Sequence, residues 1–377
     1  MKHWVTALGL IALVGCGLWY GLELRARNWE GKWTGFVKKW ESKGELFDVE
    51  GNLPAKLADE SEFESHPWMG RIAANDPELL ARLKRMDPQS IAGYDDWIRT
   101  EAPESANAPM PVELAERVRK HGAEFKAELD AFVEALKRPG CRISPVNLGG
   151  VVIEAGWISH LSAISRLFEG LSHAAIAVGD AATFTEMIET SLRAGQKLRA
   201  SNMMLPIVVG AGFENVAFAA LQSVPEPSVW PNSEQSRWLV ALAYRTRTLV
   251  DEYAAVSRVE RGFALRLIAT MEKSSGGGSG ISRFGPFRRV FFAGAKLAGC
   301  EALQGMVLAP DGNIAMAIDS ERIARFEEYV KDKRHLKDPA MELGLVTMVW
   351  PRCGIFKNLQ YQESDRVAIR ERLRKEQ

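Results

Sequence analysis

From Trp4 to Leu22 the chain carries no charge, and the run is framed by Lys2 and Glu23. Close to twenty apolar residues in a row, at about 1.5 Å of helical rise each, are enough to cross a hydrocarbon core of about 30 Å. The run predicts a membrane-anchoring helix with a water-soluble body hung from it. A second message lies inside it. Leu13-Val14-Gly15-Cys16 has the small-residue-then-cysteine pattern of a bacterial lipoprotein signal, in which the cysteine is acylated and becomes the new N-terminus. The basic start is only Lys2, and the apolar run continues past Cys16 through Leu18, Trp19, Tyr20 and Leu22, so length favours a retained helix over lipidation at Cys16. Arg25, Arg27, Lys32, Lys38 and Lys39 follow the anchor and under the positive-inside rule would hold the body in the cytoplasm. Long domains translocate regardless of such charges, and lipoprotein processing requires export. The expectation is a single-pass protein of the bacterial inner membrane with an extracytoplasmic body.

With 46% hydrophobic and 25% charged residues over 377 positions, the chain past the anchor is ordinary globular material, enough for one large or two small cores. Lys plus Arg and Asp plus Glu both number 48, so no net field draws nucleic acid, and no arginine-rich or aromatic-interleaved motif argues for it. Nucleic-acid binding is excluded as a function. Cys141, Cys300 and Cys353 are far apart and odd in number, which specifies neither a zinc site nor a disulfide framework.

Trp29, Trp33, Phe36 and Trp40 fall at i, i+4, i+7 and i+11, on one face of a helix that Gly44 is placed to stop. As an interface, these rings would sit at headgroup level with Lys32, Lys38, Lys39 and Lys43 reaching for phosphates. Aromatic stripes at helical spacing more commonly pack on the protein's own body, and that reading is preferred. Pro54, Pro67, Pro88, Pro103, Pro109 and Pro111 then break the helical period, leaving short helices at Pro77–Lys84 and Tyr94–Arg99 and an exposed loop over Glu104–Pro111. Val112 to Lys137 restores one amphipathic helix, ended by Pro139-Gly140.

Three of these stretches carry a resemblance. Phe36 to Glu45 (Phe-Val-Lys-Lys-Trp-Glu-Ser-Lys-Gly-Glu), Asp59 to Phe63 (Asp-Glu-Ser-Glu-Phe) and Ala135 to Arg142 (Ala-Leu-Lys-Arg-Pro-Gly-Cys-Arg) are similar to landmarks of a group of membrane-anchored α-helical proteins of unknown function from planctomycete and verrucomicrobial bacteria. The likeness continues through Leu161–Asp180 and Glu186–Lys197 and covers residues 25 to 273. It implies an architecture and no catalytic residues; longer members of the group continue into a further domain.

The residues themselves point to the same architecture. Ile153, Trp157, Leu161, Ile164, Phe168, Leu171 and Ala175 form one apolar stripe, which predicts a long helix broken at Gly179-Asp180. Phe184, Met187, Ile188, Ser191, Leu192, Gly195 and Leu198 supply a facing stripe, so the two helices form an antiparallel hairpin like one tetratricopeptide unit. No 34-residue period is sustained, so a regular solenoid is not supported. Leu205 to Val224 is apolar nearly all round. Glu214 and Asn215 in its middle would cost several kcal/mol in lipid, so this segment reads as the central helix of the bundle rather than a second span. Glu214 becomes the buried polar candidate, expected to pair with Arg245 or Arg247, with an acid or base role as the alternative. Helical spacing continues over Trp238–Met271, as one or two helices, and over Val290–Leu303. Ala309-Pro310-Asp311-Gly312 reads as a turn, Asp319–Lys333 as a charged helix, Leu343–Trp350 as a buried segment of open type, and Ser364–Gln377 as a solvated terminal helix.

Ser274 to Gly280 is glycine-rich but lacks the Gly-Lys-Ser/Thr and strand context of a phosphate loop, and reads as a linker beside a basic patch of Arg283, Arg288 and Arg289. Neither a His-Glu-x-x-His, a Gly-x-Ser-x-Gly nor a kinase motif is present. His160 and His173 are expected at the surface or at helix ends, on nearly opposite sides of one helix, with no joint metal site. No catalytic, cofactor-binding or metal residues are assigned.

The expected organisation is an all-α, irregular antiparallel bundle with tetratricopeptide-like hairpins. It comprises an anchor at 1–24, a juxtamembrane aromatic helix at 25–46, a proline-rich connecting region at 47–111, a helical core at 112–273, a linker at 274–286 and a C-terminal helical region at 287–377. The expected role is a binding or scaffolding module for a protein or peptide partner at the bacterial envelope. The alternative is an envelope hydrolase whose site is assembled from residues distant in sequence.

Overall fold

The computed structural model describes residues 2–101, 110–148, 151–153, 156–224, 230–244, 249–274, 285–304 and 355–376, and the isolated positions 308, 325, 328 and 343. Thirteen α-helices lie among them: α1 (Lys2–Glu41), α2 (Pro67–Ala73), α3 (Pro77–Arg85), α4 (Tyr94–Glu101), α5 (Val112–Glu124), α6 (Lys126–Lys137), α7 (Ser162–Val178), α8 (Ala181–Arg199), α9 (Met204–Gln222), α10 (Asn232–Ala243), α11 (Leu249–Ser274), α12 (Gly285–Leu303) and α13 (Ile355–Glu376). The fold is all-α. Its only strands among the described residues, β1 (Val146–Leu148) and β2 (Val151–Ile153), pair with each other. The linker at 275–284, the Ala309–Gly312 turn, most of Asp319–Lys333, all of Leu343–Trp350 except Leu343, most of the Glu104–Pro111 loop, Arg245, Arg247, Arg283 and Cys353 lie outside the described residues.

The chain divides into two compact units. The first comprises residues 1–52, 147–152 and 253–353. Its backbone is α1, one uninterrupted helix of 40 residues through both the apolar run and the aromatic stripe. Every residue from Leu13 to Gly21 is exposed, and burial begins in earnest at Ala26. Gly44, at φ +93°, turns the chain back after α1 with Glu45 N–H donating to the Trp40 carbonyl at 3.0 Å. α12 runs alongside α1 in the same direction: Arg289 near its start pairs with Glu23 and Glu30, while Gln304 just past its end and Glu45 just past the end of α1 both bond the buried Arg261 of α11.

The second unit comprises residues 53–146, 153–252 and 354–377. Its centre is the α7–α8 hairpin and α9. Gly179, at φ +70°, ends α7, and Asp180 caps α8 by accepting from Thr183 N–H at 3.1 Å, so the Gly-Asp break falls where the sequence places it. α8 and α9 cross through glycines. A Cβ on Gly195 would stand 2.9 Å from the Gly210 carbonyl oxygen, and one on Gly210 would stand 2.7 Å from that of Gly195. Around this crossing Phe132 stacks on Phe213 at 5.6 Å with Phe168 edge-on to Phe213 at 6.1 Å. A second cluster gathers Phe184, Trp238, Leu221, Ile369 and Leu373, with the Trp238 indole donating to Thr185 Oγ1 at 2.7 Å. By length and apolar composition α9 could cross a membrane, and 56% of that stretch is buried in the protein.

Several expectations are corrected. Residues 112–137 form two helices, because the chain bends at Phe125 (φ −109°, ψ 16°). Gly122 admits Leu171 of α7 against α5, and the bend turns α6 so that Phe132 also reaches the core. The 153–175 stripe is not one helix. Val151, Val152 and Ile153 are β-branched and extended, a 3-10 turn over Gly156–Leu161 buries Trp157, Ile158 and Leu161, and α7 begins only at Ser162. The terminal helix is not simply solvated. α13 starts at Ile355 and buries Leu359, Gln362, Arg366, Ile369 and Leu373.

Gly195→Ala is expected to lower the unfolding free energy by about 3 kcal/mol through overpacking at the α8–α9 crossing. Gly212→Ala, on the same helix pair but with open space around it, is expected to raise it by about 0.5–1 kcal/mol. Denaturant unfolding of the two variants checks the contrast, and equal effects would remove the glycine crossing as the determinant.

Candidate functional site

Glu214 lies at the heart of α9 and is 1% exposed. An isolated carboxylate there would be prohibitively costly. The structure pairs it twice: Oε2 accepts from Arg199 at the end of α8, and Oε1 accepts from Arg366 of α13 at 2.9 Å. Arg199 also holds Glu252 in the first turn of α11, with Nε donating at 3.1 Å. Two guanidiniums and two carboxylates thus meet in a buried cluster, with Glu363 at its edge 3.9 Å from Arg366 Nε. Burial alone would pull the Arg199 guanidinium down, and its two carboxylates outweigh burial and hold it above the usual arginine value. The partners of Glu214 among the described residues are Arg199 and Arg366; the expected Arg245 and Arg247 lie outside the described residues. Both Glu214 oxygens are engaged by cations, an arrangement that clips α9 to α8 and α13.

A different feature of the same unit is open. A groove of about 880 Å³ runs between the end of α6, the outer face of α8 and α10. Glu189, Leu192, Arg193, Gln196, Lys197 and Ala200 supply one wall at i, i+3, i+4, i+7, i+8 and i+11 of α8. Arg237, Val240, Ala241 and Tyr244 supply the other from α10 and its C-cap. Leu136 and Leu192 are buried beneath, while Val240 and Tyr244 stand 70% and 61% exposed along the rim. The Tyr244 carbonyl accepts from Gln196 Nε2 at 2.6 Å, tying the two walls together.

The third wall is built from the sequence landmarks. Gly140 N–H donates to the Ser61 carbonyl at 2.8 Å, in an isolated bridge between Glu62 and Gly140. The Glu62 carboxylate accepts from the backbone N–H groups of Leu57 at 2.6 Å and Arg142 at 3.2 Å. Arg138 donates to the Glu62 carbonyl at 3.1 Å, and Lys197 donates to the carbonyls of Arg138, Pro139 and Gly140. Desolvation pulls the Lys197 ammonium below the usual lysine value. The 59–63, 135–142 and 186–197 segments therefore meet in one knot, and Arg138, Pro139, Cys141 and Lys197 face the groove from it.

The other sequence candidates are elsewhere. Cys16 is exposed on α1. Along the aromatic stripe Trp33 stacks on Phe36 at 6.0 Å, Phe47 folds back edge-on to both, and Trp40 is buried. Lys32 lies over Trp29, and Lys39 and Lys43 over Trp40. His160 and His173 do not share a helix, since His160 lies in the 3-10 turn. His173 is not a surface group: it sits mid-α7 with its ring 5.2 Å from Trp97, and burial lowers its pKa to about 4. Glu169, one turn before it, is raised by burial. Among the described residues no three His, Cys, Asp or Glu side chains gather to hold a metal. Sequence reasoning missed Arg199, Arg366 and the groove residues Arg193, Val240 and Tyr244. The α8 periodicity, read for its outward face, would have drawn out Arg193 with Lys197.

No family model matches this chain, and no curated protein and no solved structure is similar to it.

Glu214→Gln leaves Arg199 and Arg366 short of a buried counter-charge, and a loss of about 3–5 kcal/mol in unfolding free energy is expected from denaturant titration. A loss below about 1 kcal/mol would mean the cluster is not what holds these helices. His173 gives a pH signature. Its folded pKa lies below the unfolded 6.5, so its contribution is fully present above pH 6.5 and is lost as pH falls towards 4. Because part of the ring surface is open, the loss is about 2 kcal/mol. Glu169 works in the opposite sense, stabilising at acid pH, so the comparison is with His173→Gln, whose stability profile between pH 6.5 and 4 is expected to be flatter by that amount.

Proposed function

We propose that the protein is a membrane-tethered helical binding module of the bacterial envelope, whose α6–α8–α10 groove holds a segment of a partner protein. The observation that carries the reading is the groove itself, since its rim presents Val240 and Tyr244 to solvent four residues apart, a spacing suited to a peptide laid along a helix. Two of the landmark segments that resemble the planctomycete and verrucomicrobial group, 59–63 and 135–142, build its third wall with Lys197, which is consistent with a binding role there. The α7–α8 hairpin with α9 against it is the tetratricopeptide-like element of the module.

The tether is α1. Its residues 13–21 are apolar or small and exposed on every side, a surface suited to lipid rather than water. Trp19 and Tyr20 come just before Glu23, where an aromatic belt at a bilayer boundary belongs. Retention of α1 as a span, with the body outside the cytoplasm, is the preferred form of this attachment.

Membrane fractionation tests the tether. The full chain is expected to sediment with membranes and resist alkaline extraction, and the variant lacking residues 2–22 to be released. Cys16→Ser leaves attachment intact under a retained helix and abolishes it under lipidation. Full-length chain free in the supernatant would overturn the tether. A photo-crosslinking residue at position 240 tests the groove in cells, with position 208, exposed on α9, as the control. Adducts specific to 240 are expected, and equal labelling from both positions would overturn the groove as the binding site.

A further inference from the structure

We propose that the groove selects an acidic, amphipathic segment, one that places carboxylates against Arg138, Arg193 and Lys197 and an apolar side chain against Val240 and Tyr244. This rests on the reading of the groove as a protein-binding site and names the chemistry of its partner.

The argument is charge accounting. Five cations line the groove (Lys137, Arg138, Arg193, Lys197 and Arg237) against one carboxylate, Glu189. Glu189 is already committed to Arg237, whose Nε and Nη2 donate to it at 3.0 and 2.6 Å and whose Nη1 donates to Glu234 at 3.1 Å, and Lys137 is paired with Glu134. Among the described residues Arg138, Arg193 and Lys197 make no salt bridge to a carboxylate, and the Glu62 carboxylate acts on Lys197 only through space. The Arg138 and Lys197 head groups are held on backbone carbonyls, and Arg193 stands exposed. The groove therefore presents a local excess of positive charge, centred on Arg138, Arg193 and Lys197, on a chain whose charges number 48 of each sign.

Three occupants are thereby disfavoured. A purely apolar segment would strip water from these cations and return no counter-charge. A small inorganic anion would leave Val240 and Tyr244 in water. Nucleic acid needs a basic surface continued over many phosphates, whereas here the cations are confined to one groove. An acidic segment with apolar anchors satisfies both rim chemistries. The α8 wall from Glu189 to Ala200 is about 17 Å long, which matches three turns of helix.

The test uses full-length protein in nanodiscs of neutral phosphatidylcholine and two labelled peptides of about 12 residues, one with Glu-Glu-Leu-Leu repeats and one with Lys in place of Glu. The Glu peptide is expected to bind and the Lys peptide not to. Arg193→Glu is expected to weaken the Glu peptide by about tenfold or more and to improve the Lys peptide, and Val240→Asp to weaken the Glu peptide comparably. Both positions are exposed, and Val208→Asp serves as the control. Equal binding of the two peptides, or indifference to Arg193→Glu and Val240→Asp, overturns the proposal. So does binding of lysophosphatidic acid with neither peptide bound, which would make the groove an amphiphile site. If position 240 crosslinks in cells while the Glu peptide fails to bind, the acidic partner falls and the docking groove stands; if neither is seen, both fall.

Discussion

The second unit depends on one constraint: a carboxylate in the middle of an apolar helix must find its counter-charges without water. Glu214 finds them on α8 and α13, and the glycines at 195 and 210 are what let the helices come close enough. The two features need each other. A Cβ at Gly195 would collide with the Glu214 side chain, so the residue that permits the α8–α9 approach also clears the space through which the carboxylate reaches Arg199. Because buried ion pairs return little net stability against well-packed apolar residues, the cluster is better understood as a device of register. It makes only one alignment of α8, α9 and α13 acceptable, since a slip would separate Glu214 from Arg199 or Arg366.

Register on the inner face of α8 fixes what its outer face displays. Gly195, Leu198 and Arg199 point to the core, and the intervening Arg193, Gln196 and Lys197 therefore point to the groove at a set height relative to α10. Gln196 then bonds the Tyr244 carbonyl, and Lys197 closes on the loop after α6. The core cluster and the open groove are two sides of a single helix.

How much of this was legible follows from the range of the interactions. Helices α8, α9 and the Gly179-Asp180 break are written in local periodicity and turn chemistry, and were readable. The burial of Glu214 was readable too, because its helix has no polar face to turn outward. Its partners were not: Arg366 lies in a stretch so dense in charge that a solvated helix is the natural reading, and only the fold separates the inward Gln362, Arg366 and Ile369 from the rest. The 112–137 and 153–175 stripes misled for a related reason. Apolar spacing at three and four residues survives a bend at Phe125 or a 3-10 turn over 156–161, so periodicity alone does not register the break. The groove was invisible because it is made from outward faces of helices far apart in sequence, where each charge taken singly is most simply a solvated one.

The landmarks show the same limit from the other side. Asp59–Phe63 and Ala135–Arg142 were recognisable as motifs about 80 residues apart, yet neither contains the reason for its composition. That reason is mutual. Gly140 is needed because the Glu62 side chain occupies the space a Cβ would take, Glu62 because the Leu57 and Arg142 amides need an acceptor, and Arg138 because the Glu62 carbonyl needs a donor. Lys197 completes the knot by satisfying three carbonyls of a loop that no helix caps. A cation held this way has already lost its rotamer freedom and part of its hydration before any partner arrives. The entropy and desolvation that usually erode the gain from a surface ion pair are in large measure spent in folding. Arg138 and Lys197 thus present a fixed positive wall, while Arg193, exposed one turn away on α8, keeps its freedom and its hydration.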